Sequence, residues 1–297
     1  MAAAADVSWE PATLSQGTLV RVGVRPAPGL PEAGSVTAVV ATLAGEPVHF
    51  HRGEGGLYLG LAGLPFGAGS GLPLVVQVRR EHRTDTLTVE LPVTAGHYAS
   101  ERLSVAPRFG REPDSATAVR IGRENALARG IGRRSHETRR LWRPPFILPG
   151  AGVVTARYGT ARRFNGRVQS RHMGTDFAGR VGDPVRAPAG GVVALIDHFY
   201  LAGTVLYLDH GEGLTTGYFH LSGVDVAAGD TVRAGQVIAR VGRSGRVTGP
   251  HLHWVMRYGA ISVDPLSLAL LGLLKGAPSP LSAPRDTLGR DLPGGGK

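Results

Sequence analysis

The sequence predicts a mostly β protein with two domains, and three observations support this prediction. The chain has 297 residues, about twice the ~150 residues of an average domain. Short β-rich segments recur along it, separated by turns that draw on its 44 glycines and 21 prolines. Hydrophobic residues make up 42% of the sequence, enough for substantial cores, yet no apolar run reaches the ~18 residues of a membrane span. No transmembrane segment is therefore expected.

Residues 1–98 are predicted to form an immunoglobulin-like β-sandwich. Regular short strands with turn residues between them are typical of this architecture. One of the strands carries His49 and His51, which we interpret as part of its polar face. The predicted strands are residues 17–25, 35–43, 46–51, 57–61, 72–80 and 85–93.

Residues 99–145 are predicted to be a basic connector. Its segment 101–143 contains eleven arginines and five acidic residues, a balance of +6 within a net chain charge of +10. Such a stripe could hold an acidic polymer of the cell envelope, although a solvated connector explains it equally well. Nucleic acid is disfavoured, because few aromatic residues and no recognition motif accompany the arginines. Residues 124–140 are expected to be helical, and Pro144-Pro145 to end the connector.

A second β-rich domain is predicted over residues 146–275, followed by a flexible, Pro- and Gly-rich tail at 276–297. The domain contains T-G-P-H-L-H-W-V-M at 248–256, which reads as a strand. On a strand, His251 and His253 face one side while Leu252 and Trp254 face the other. Imidazoles in such apolar surroundings need polar partners or a metal, because unsatisfied buried polar groups are costly.

His172 and Asp176, in R-H-M-G-T-D, form a second candidate pair. A helix would bring them to one face, but Gly174 between them argues against a helix. Four extended residues span ~13–14 Å, too far for two ligands that each lie ~2.0–2.2 Å from one zinc ion. We therefore expect a bend at Gly174, with His172 in a loop and Asp176 at the start of a strand. One or both histidines of the 251/253 pair could complete a His/His/Asp zinc set with a fourth position for water.

Three blocks of this domain, taken in order, resemble the zinc-dependent peptidoglycan endopeptidases of the lysostaphin/LytM type, the M23 metallopeptidases. The resemblance covers residues 146–266 strongly and 1–145 more weakly, since some of these enzymes carry a β-sandwich and connector before the catalytic domain. It implies an open antiparallel sheet with a groove. The blocks are H-x-x-x-D at 172–176, D-H-G-E-G-L-T-T-G-Y-F-H-L-S at 209–222 and G-R-V-T-G-P-H-L-H-W at 245–254.

The resemblance implies roles for five residues. His172, Asp176 and His253 are the implied zinc ligands. His220 and His251 are implied to face the metal without binding it, one activating the water and the other stabilising the tetrahedral oxyanion. His251 is favoured as the base.

Four further residues are weighed separately. Asn165 precedes His172 in the sequence and either lines the substrate groove or only turns the chain. Tyr218 is a second candidate for substrate binding. His198 and His210 are expected to be structural or exposed.

The implied function is zinc-dependent hydrolysis of amide bonds in peptidoglycan cross-link peptides. Zinc lowers the pKa of its water towards ~7, and zinc with one imidazole can stabilise the oxyanion. Glycyl–glycine and D-alanyl–diamino-acid bonds are both open as targets. The alternative is a non-catalytic envelope scaffold or amidase regulator, which would be expected to lose metal or base histidines; all five are present here. A lipoyl- or biotinyl-type carrier, suggested by residues 226–236, is set aside because that segment has no lysine.

The expected location is the periplasm or the extracellular cell envelope, where the implied substrate lies. The N-terminal residues M-A-A-A-A-D-V lack the basic and apolar regions of a signal peptide. We therefore expect a signal or anchor upstream of Ala2 in the natural precursor. The absence of cysteine excludes disulfides but does not fix the compartment.

Overall fold

The computed structural model of the chain describes residues 4–28, 34–166 and 168–276, and their fold is mostly β. All of the predicted tail except Gly276 lies outside the described residues. None of the helices formed by the described residues has the length and apolar character of a membrane span.

The N-terminal module is the predicted sandwich. Its eight strands follow the order β1-β3-β6-β5-β4-β7-β8-β2. The first residues of β5 pair with β4 and the last ones pair with β6, so this strand links the two halves of the sandwich. The six predicted strands correspond to β3–β8, whereas β1 and β2 were not predicted. The strands are β1 (Ala5–Glu10), β2 (Leu14–Ser15), β3 (Leu19–Pro26), β4 (Val36–Leu43), β5 (Glu46–Arg52), β6 (Tyr58–Gly63), β7 (Gly71–Arg80) and β8 (Thr84–Thr94).

The connector is folded against the second domain. It contains strand β9 (Ser100–Leu103) and helix α1 (Ser115–Ser135). The helix begins nine residues before the predicted start, because Asp114 caps it by accepting a hydrogen bond from the backbone N–H of Thr117 at 2.8 Å. It ends five residues before the predicted end. The hydroxyls of Ser135 and Thr138 both donate to the carboxylate of Asp209, and these bonds hold the chain as it leaves the helix.

The second domain is built on a sheet of order β11-β14-β22-β18-β17-β16-β20, with β23 paired to β22. All described strand pairings within this sheet are antiparallel, as the family resemblance implied. The strands are β10 (Phe146–Ile147), β11 (Val154–Ala156), β12 (Ala161–Phe164), β13 (Val168–Arg171), β14 (Thr175–Ala178), β15 (Pro184–Arg186), β16 (Gly191–Phe199), β17 (Gly203–Gly211), β18 (Leu214–Leu221), β19 (Gly223–Val224), β20 (Thr231–Val232), β21 (Val237–Arg240), β22 (His251–Tyr258), β23 (Ile261–Val263) and β24 (Leu274–Lys275).

The two faces of this sheet differ in what covers them. Leu252, Trp254 and Met256 of β22 are buried in the main core, as their alternation predicted. On the opposite face, Ala128 and Ile131 of α1 pack against a smaller apolar cluster that includes Val255 of β22. The connector helix therefore covers part of the sheet face on which His253 lies.

The sandwich and the second domain are in direct contact. The main core runs continuously through both. The hydroxyl of Tyr258 donates to the Pro47 carbonyl at 2.7 Å, and the backbone N–H of Leu19 donates to the Ser267 hydroxyl at 3.0 Å. These contacts join β22 and the short 3₁₀ helix Pro265–Leu271 to the sandwich.

Candidate metal and catalytic site

His172, Asp176 and His253, hereafter the His–Asp–His cluster, converge on one point. The Nε2 atom of His172 lies 2.9 Å from Asp176 Oδ1 and 2.9 Å from His253 Nδ1, and the last two atoms are 2.6 Å apart. All three residues are buried. The structure therefore brings together the three ligands that the family resemblance implied.

Strand register and one glycine produce this convergence. Asp176 on β14 is directly opposite His253 on β22, and His172 enters from the loop that follows β13. Gly174 in that loop does not have the left-handed φ of a glycine-dependent turn. Its importance lies in close packing, since a Cβ there would stand 2.6 Å from the carbonyl oxygen of Trp254 and 2.8 Å from His253 Nε2.

The ionisation of the cluster suits a metal. Burial lowers the pKa of His253 to about 4, against the opposing effect of Asp176, so this imidazole is neutral near pH 7. Burial by itself would raise the pKa of Asp176, but His253 and His172 hold it well below its usual range. Neutral imidazole and ionised carboxylate are the forms that coordinate metal ions.

Hydrogen bonds outside the cluster orient its ligand atoms. His172 Nδ1 lies 2.8 Å from the Arg157 carbonyl, to which it donates, and this directs the Nε2 lone pair at the cluster. Arg162 Nη2 donates to Asp176 Oδ2 at 2.8 Å, which leaves Oδ1 facing the two histidines. Glu101, on β9 of the connector, accepts from Arg162 in turn. With the His253 proton on Nε2, the three inward-facing atoms are all acceptors, a set that fits a divalent cation with nitrogen and oxygen ligands.

His220 and His251 flank the cluster. Their rings are 4.8 Å apart, and His251 Nε2 lies 3.8 Å from Asp176 Oδ1. Each donates from Nδ1 to a backbone carbonyl, His220 to Ser244 at 2.8 Å and His251 to Gly249 at 2.9 Å. In the neutral ring, this bonding leaves Nε2 as the acceptor. Burial, assisted by the neighbouring histidines, lowers the pKa of His220 well below its usual value.

A β-bulge accounts for the position of His220. Leu206 pairs with Tyr218 and Thr204 pairs with Leu221, so two residues of β18 stand opposite one residue of β17. His220 has a φ of 63° at this point. Simple alternation would have placed it on the same face as Tyr218.

Tyr218 and Asn165, the two candidates for substrate binding, do not line the cavity at the cluster. Tyr218 is fully buried in the core, with its hydroxyl 2.7 Å from the Thr216 hydroxyl. Asn165 has a φ of 49°, and its carboxamide exchanges two hydrogen bonds with the backbone of Val105 in the connector. Its contacts are those of a turn residue that holds the connector.

The remaining histidines lie outside the cluster. His210 is fully buried between the Gly190 carbonyl and a threonine hydroxyl, which is a structural role, and His198 is exposed. His49 and His51 do lie on a sandwich strand. However, their side chains contact the other parts of the chain: His49 Nε2 lies 2.9 Å from His136 Nδ1, and His51 Nε2 lies 2.8 Å from a carboxylate oxygen of Glu212.

A cavity of about 610 Å³ opens over the cluster and over His220 and His251. Sequence reasoning missed two parts of its wall. One is Arg246, in the loop before β22. The other comes from the connector, for which the arginine-rich composition gave no specific signal, and includes Glu101, Leu103, Ile121, Asn125 and Ala128.

Comparison with known proteins agrees with the site. Residues 170–265 match the model of Peptidase family M23. The chain therefore carries an M23 metallopeptidase domain. A crystal structure assigned to peptidase M23 from Pseudomonas aeruginosa is similar over 85% of this chain and 93% of its own, with 27% identity and a TM-score of 0.62. Its similarity extends beyond the M23 domain into the N-terminal half.

Two curated relatives match shorter stretches of the chain. The DD-carboxypeptidase/endopeptidase Mpg of Neisseria meningitidis is 43% identical over 99 residues, which are 33% of this chain and 23% of Mpg. The peptidoglycan DD-endopeptidase ShyA of Vibrio cholerae is 45% identical over 83 residues, 28% of this chain and 19% of ShyA. The matched segments thus cover less than a quarter of the length of these relatives.

Proposed function

We propose that this M23 protein is a zinc-dependent endopeptidase that hydrolyses amide bonds in peptidoglycan cross-link peptides. The observation that carries the proposal is the His–Asp–His cluster at a cavity into which two further histidines face. The names of the relatives favour the D-alanyl–diamino-acid bond over the glycyl–glycine bond. Because the proposed substrate is the cell wall, the proposed location is the periplasm or the cell surface.

The ligand atoms of the proposed zinc site are His172 Nε2, Asp176 Oδ1 and His253 Nδ1. A zinc ion held there would supply Lewis acidity, which acidifies a water nucleophile and polarises the scissile carbonyl. Arg162 keeps the second oxygen of Asp176 occupied, so the carboxylate presents one oxygen to the metal. Three protein ligands leave a position open, as catalytic sites require.

His251 is proposed as the general base. Its Nδ1–H is held by the Gly249 carbonyl, so Nε2 can accept the proton of the attacking water. His220 is proposed to stabilise the oxyanion. Its bond to Ser244 occupies Nδ1, so an N–H for the oxyanion requires protonation at Nε2. Burial disfavours this imidazolium in the free chain, and the negative charge of the oxyanion would favour it.

The test is incubation of the zinc-loaded full chain with purified sacculi of the two cross-link chemistries, followed by mass analysis of released fragments. We expect cleavage of D-alanyl–diamino-acid cross-links, and none by an Asp176→Ala variant. Cleavage of glycyl–glycine bridges alone would overturn the specificity. A zinc-loaded parent that releases no fragment from either wall would reject the peptidase and favour a scaffold or regulator.

A further inference from the structure

Arg246 occupies a defined position in the wall of the cavity that holds the cluster. Its backbone N–H donates to the Leu201 carbonyl at 2.8 Å. Its guanidinium lies 4.1 Å from the centre of the Phe164 ring, and Nη2 is 3.4 Å from the Ser170 hydroxyl. The side chain is partly buried, and these contacts fix the position of the guanidinium group in the absence of a ligand.

The other arginines of this cavity use their guanidinium groups inside the protein. Arg162 is bound to two carboxylates, those of Asp176 and Glu101. Arg171 donates to the Gly159 carbonyl and lies over an aromatic ring, and Arg257 donates to the Ala260 carbonyl.

Like Arg171 and Arg257, Arg246 forms no ion pair with a described Asp or Glu. It differs from them because the one hydrogen bond of its guanidinium among the described residues is long, 3.4 Å to the Ser170 hydroxyl, whereas Arg171 and Arg257 donate to carbonyl oxygens at 2.7 and 2.8 Å. Burial and the neighbouring charge of Arg162 lower the pKa of Arg246 to about 10, and the group is still a cation at neutral pH. A partly buried cation without a counter-charge is costly, and an anionic ligand removes that cost. A planar fork of N–H donors matches a carboxylate better than any other common peptide group.

We propose that Arg246 binds a free carboxylate of the peptide substrate and so selects acidic cross-link peptides over amidated ones. This inference rests on the proposed function for the class of ligand, a peptide held across the His–Asp–His cluster. It adds an anion subsite on the side of the cavity formed by β12, β13 and the 241–250 loop. A peptide with the corresponding carboxamide would leave the guanidinium without its counter-charge.

The test compares two labelled cross-link peptides that differ only in a free carboxylate or a carboxamide beside the scissile bond. Binding is measured by fluorescence anisotropy on the zinc-loaded full chain carrying His251→Ala, so that turnover does not interfere. We expect the carboxylate peptide to bind about 10-fold or more tightly, the usual range for a hydrogen bond to a charged group. Arg246→Gln should abolish the preference, and Arg246→Lys should keep part of it.

Arg163→Gln is the matched control, because Arg163 is exposed, does not line this cavity and carries the same charge. It should leave the preference unchanged. A parent without any carboxylate preference, or a preference that survives in Arg246→Gln, would overturn the inference. Should Arg246→Gln fail to fold, Arg246→Lys decides: an undiminished preference in that variant would show that the fork does not bind the carboxylate.

Hydrolysis of both peptides by the chain with His251 restored separates this inference from the proposed function. Carboxylate-selective binding without hydrolysis would sustain the subsite and reject the peptidase. Equal binding and equal hydrolysis of both peptides would sustain the peptidase and reject the subsite. Where both hold, Arg246→Gln should raise KM for the carboxylate peptide and leave kcat nearly unchanged.

Discussion

Gly174→Ala is expected to weaken metal binding by steric pressure alone. The new methyl group would stand 2.6 Å from the carbonyl oxygen of Trp254 and within 2.7–2.8 Å of two ring atoms of His253. Ordinary contacts of a Cβ begin at about 3.4 Å, so the overlap is roughly 0.6–0.8 Å. Trp254 is fully buried in the middle of β22, so its carbonyl group cannot move away from the new methyl group.

Two opposing effects set the magnitude. Replacing glycine by alanine generally stabilises a protein by about 0.4–1 kcal/mol, because it restricts the unfolded chain. Overpacking of a well-filled interior costs about 1–3 kcal/mol. The net destabilisation is therefore between about 0 and about 2.6 kcal/mol. Movement of the His253 ring could relieve the overlap. It would displace this proposed zinc ligand by a large fraction of the length of a zinc–nitrogen bond, ~2.0–2.1 Å.

Denaturant unfolding of the zinc-free chain and a zinc-competition titration measure the two consequences separately. We expect a lower free energy of unfolding and a zinc affinity reduced at least about tenfold, the scale of a misoriented ligand. Gly249→Ala is the matched control, because a Cβ at Gly249 meets nothing within 4 Å and its φ is not left-handed. Parent-like zinc affinity in Gly174→Ala would refute the argument that close approach at this glycine sets the site.

Three other predictions can be checked with single variants. Elemental analysis should find about one zinc ion per chain, and alanine at any residue of the His–Asp–His cluster should remove it. Joint replacement of His49 and His51 should leave the zinc content unchanged. The opposite pattern would mean that the metal site is elsewhere. His220→Ala and His251→Ala should each keep the bound zinc and the fold but lower the rate of muropeptide hydrolysis about 10²–10⁴-fold. In the double variant the loss of rate should be smaller than the product of the two single losses. Rates equal to that of the parent would reject the proposed roles. Ile131→Ala should lower the free energy of unfolding by about 2–5 kcal/mol in a denaturant titration, since this α1 side chain is buried against the sheet; a change below ~0.5 kcal/mol would contradict that packing.

Local rules predicted how the candidate metal ligands could meet, whereas the choice of His253 over His251 as the third ligand came from the family resemblance. Alternation on a strand puts His251 and His253 on one face and Trp254 on the other, and the β22 side chains do lie so. The loop position of His172 followed from the reach of an extended chain. Strand alternation puts Tyr218 and His220 on the same face, and this is wrong for β18. The β-bulge there turns His220 to the other face, and the bulge depends on how β18 pairs with β17.

Features that depend on tertiary contacts had no signal in the sequence. Arg246 is one of 31 arginines in a chain with two lysines, so its residue type carried little information. Its distinction lies in a guanidinium that lines the cavity with only a long hydrogen bond to the Ser170 hydroxyl and no described acidic partner, which only the folded neighbourhood reveals. The early start of helix α1 does have a local signal, because D-S-A-T at 114–117 is a recognisable helix N-terminus capped by Asp114.

The connector is better regarded as part of the catalytic body than as a link between two modules. Its strand β9 pairs with β12, and from that strand Glu101 holds Arg162, which in turn holds the carboxylate of Asp176. Its helix covers the sheet face beside His253 and lines the same cavity. This charge-rich segment, for which the sequence suggested a surface for acidic polymers, thus supplies the carboxylate of Glu101, which Arg162 and Asp176 connect to the proposed metal position. It also supplies a wall of the proposed substrate groove. The number of arginines in a segment does not tell whether it binds an external polymer or supports the site. That depends on which guanidinium groups already bind acceptors within the protein.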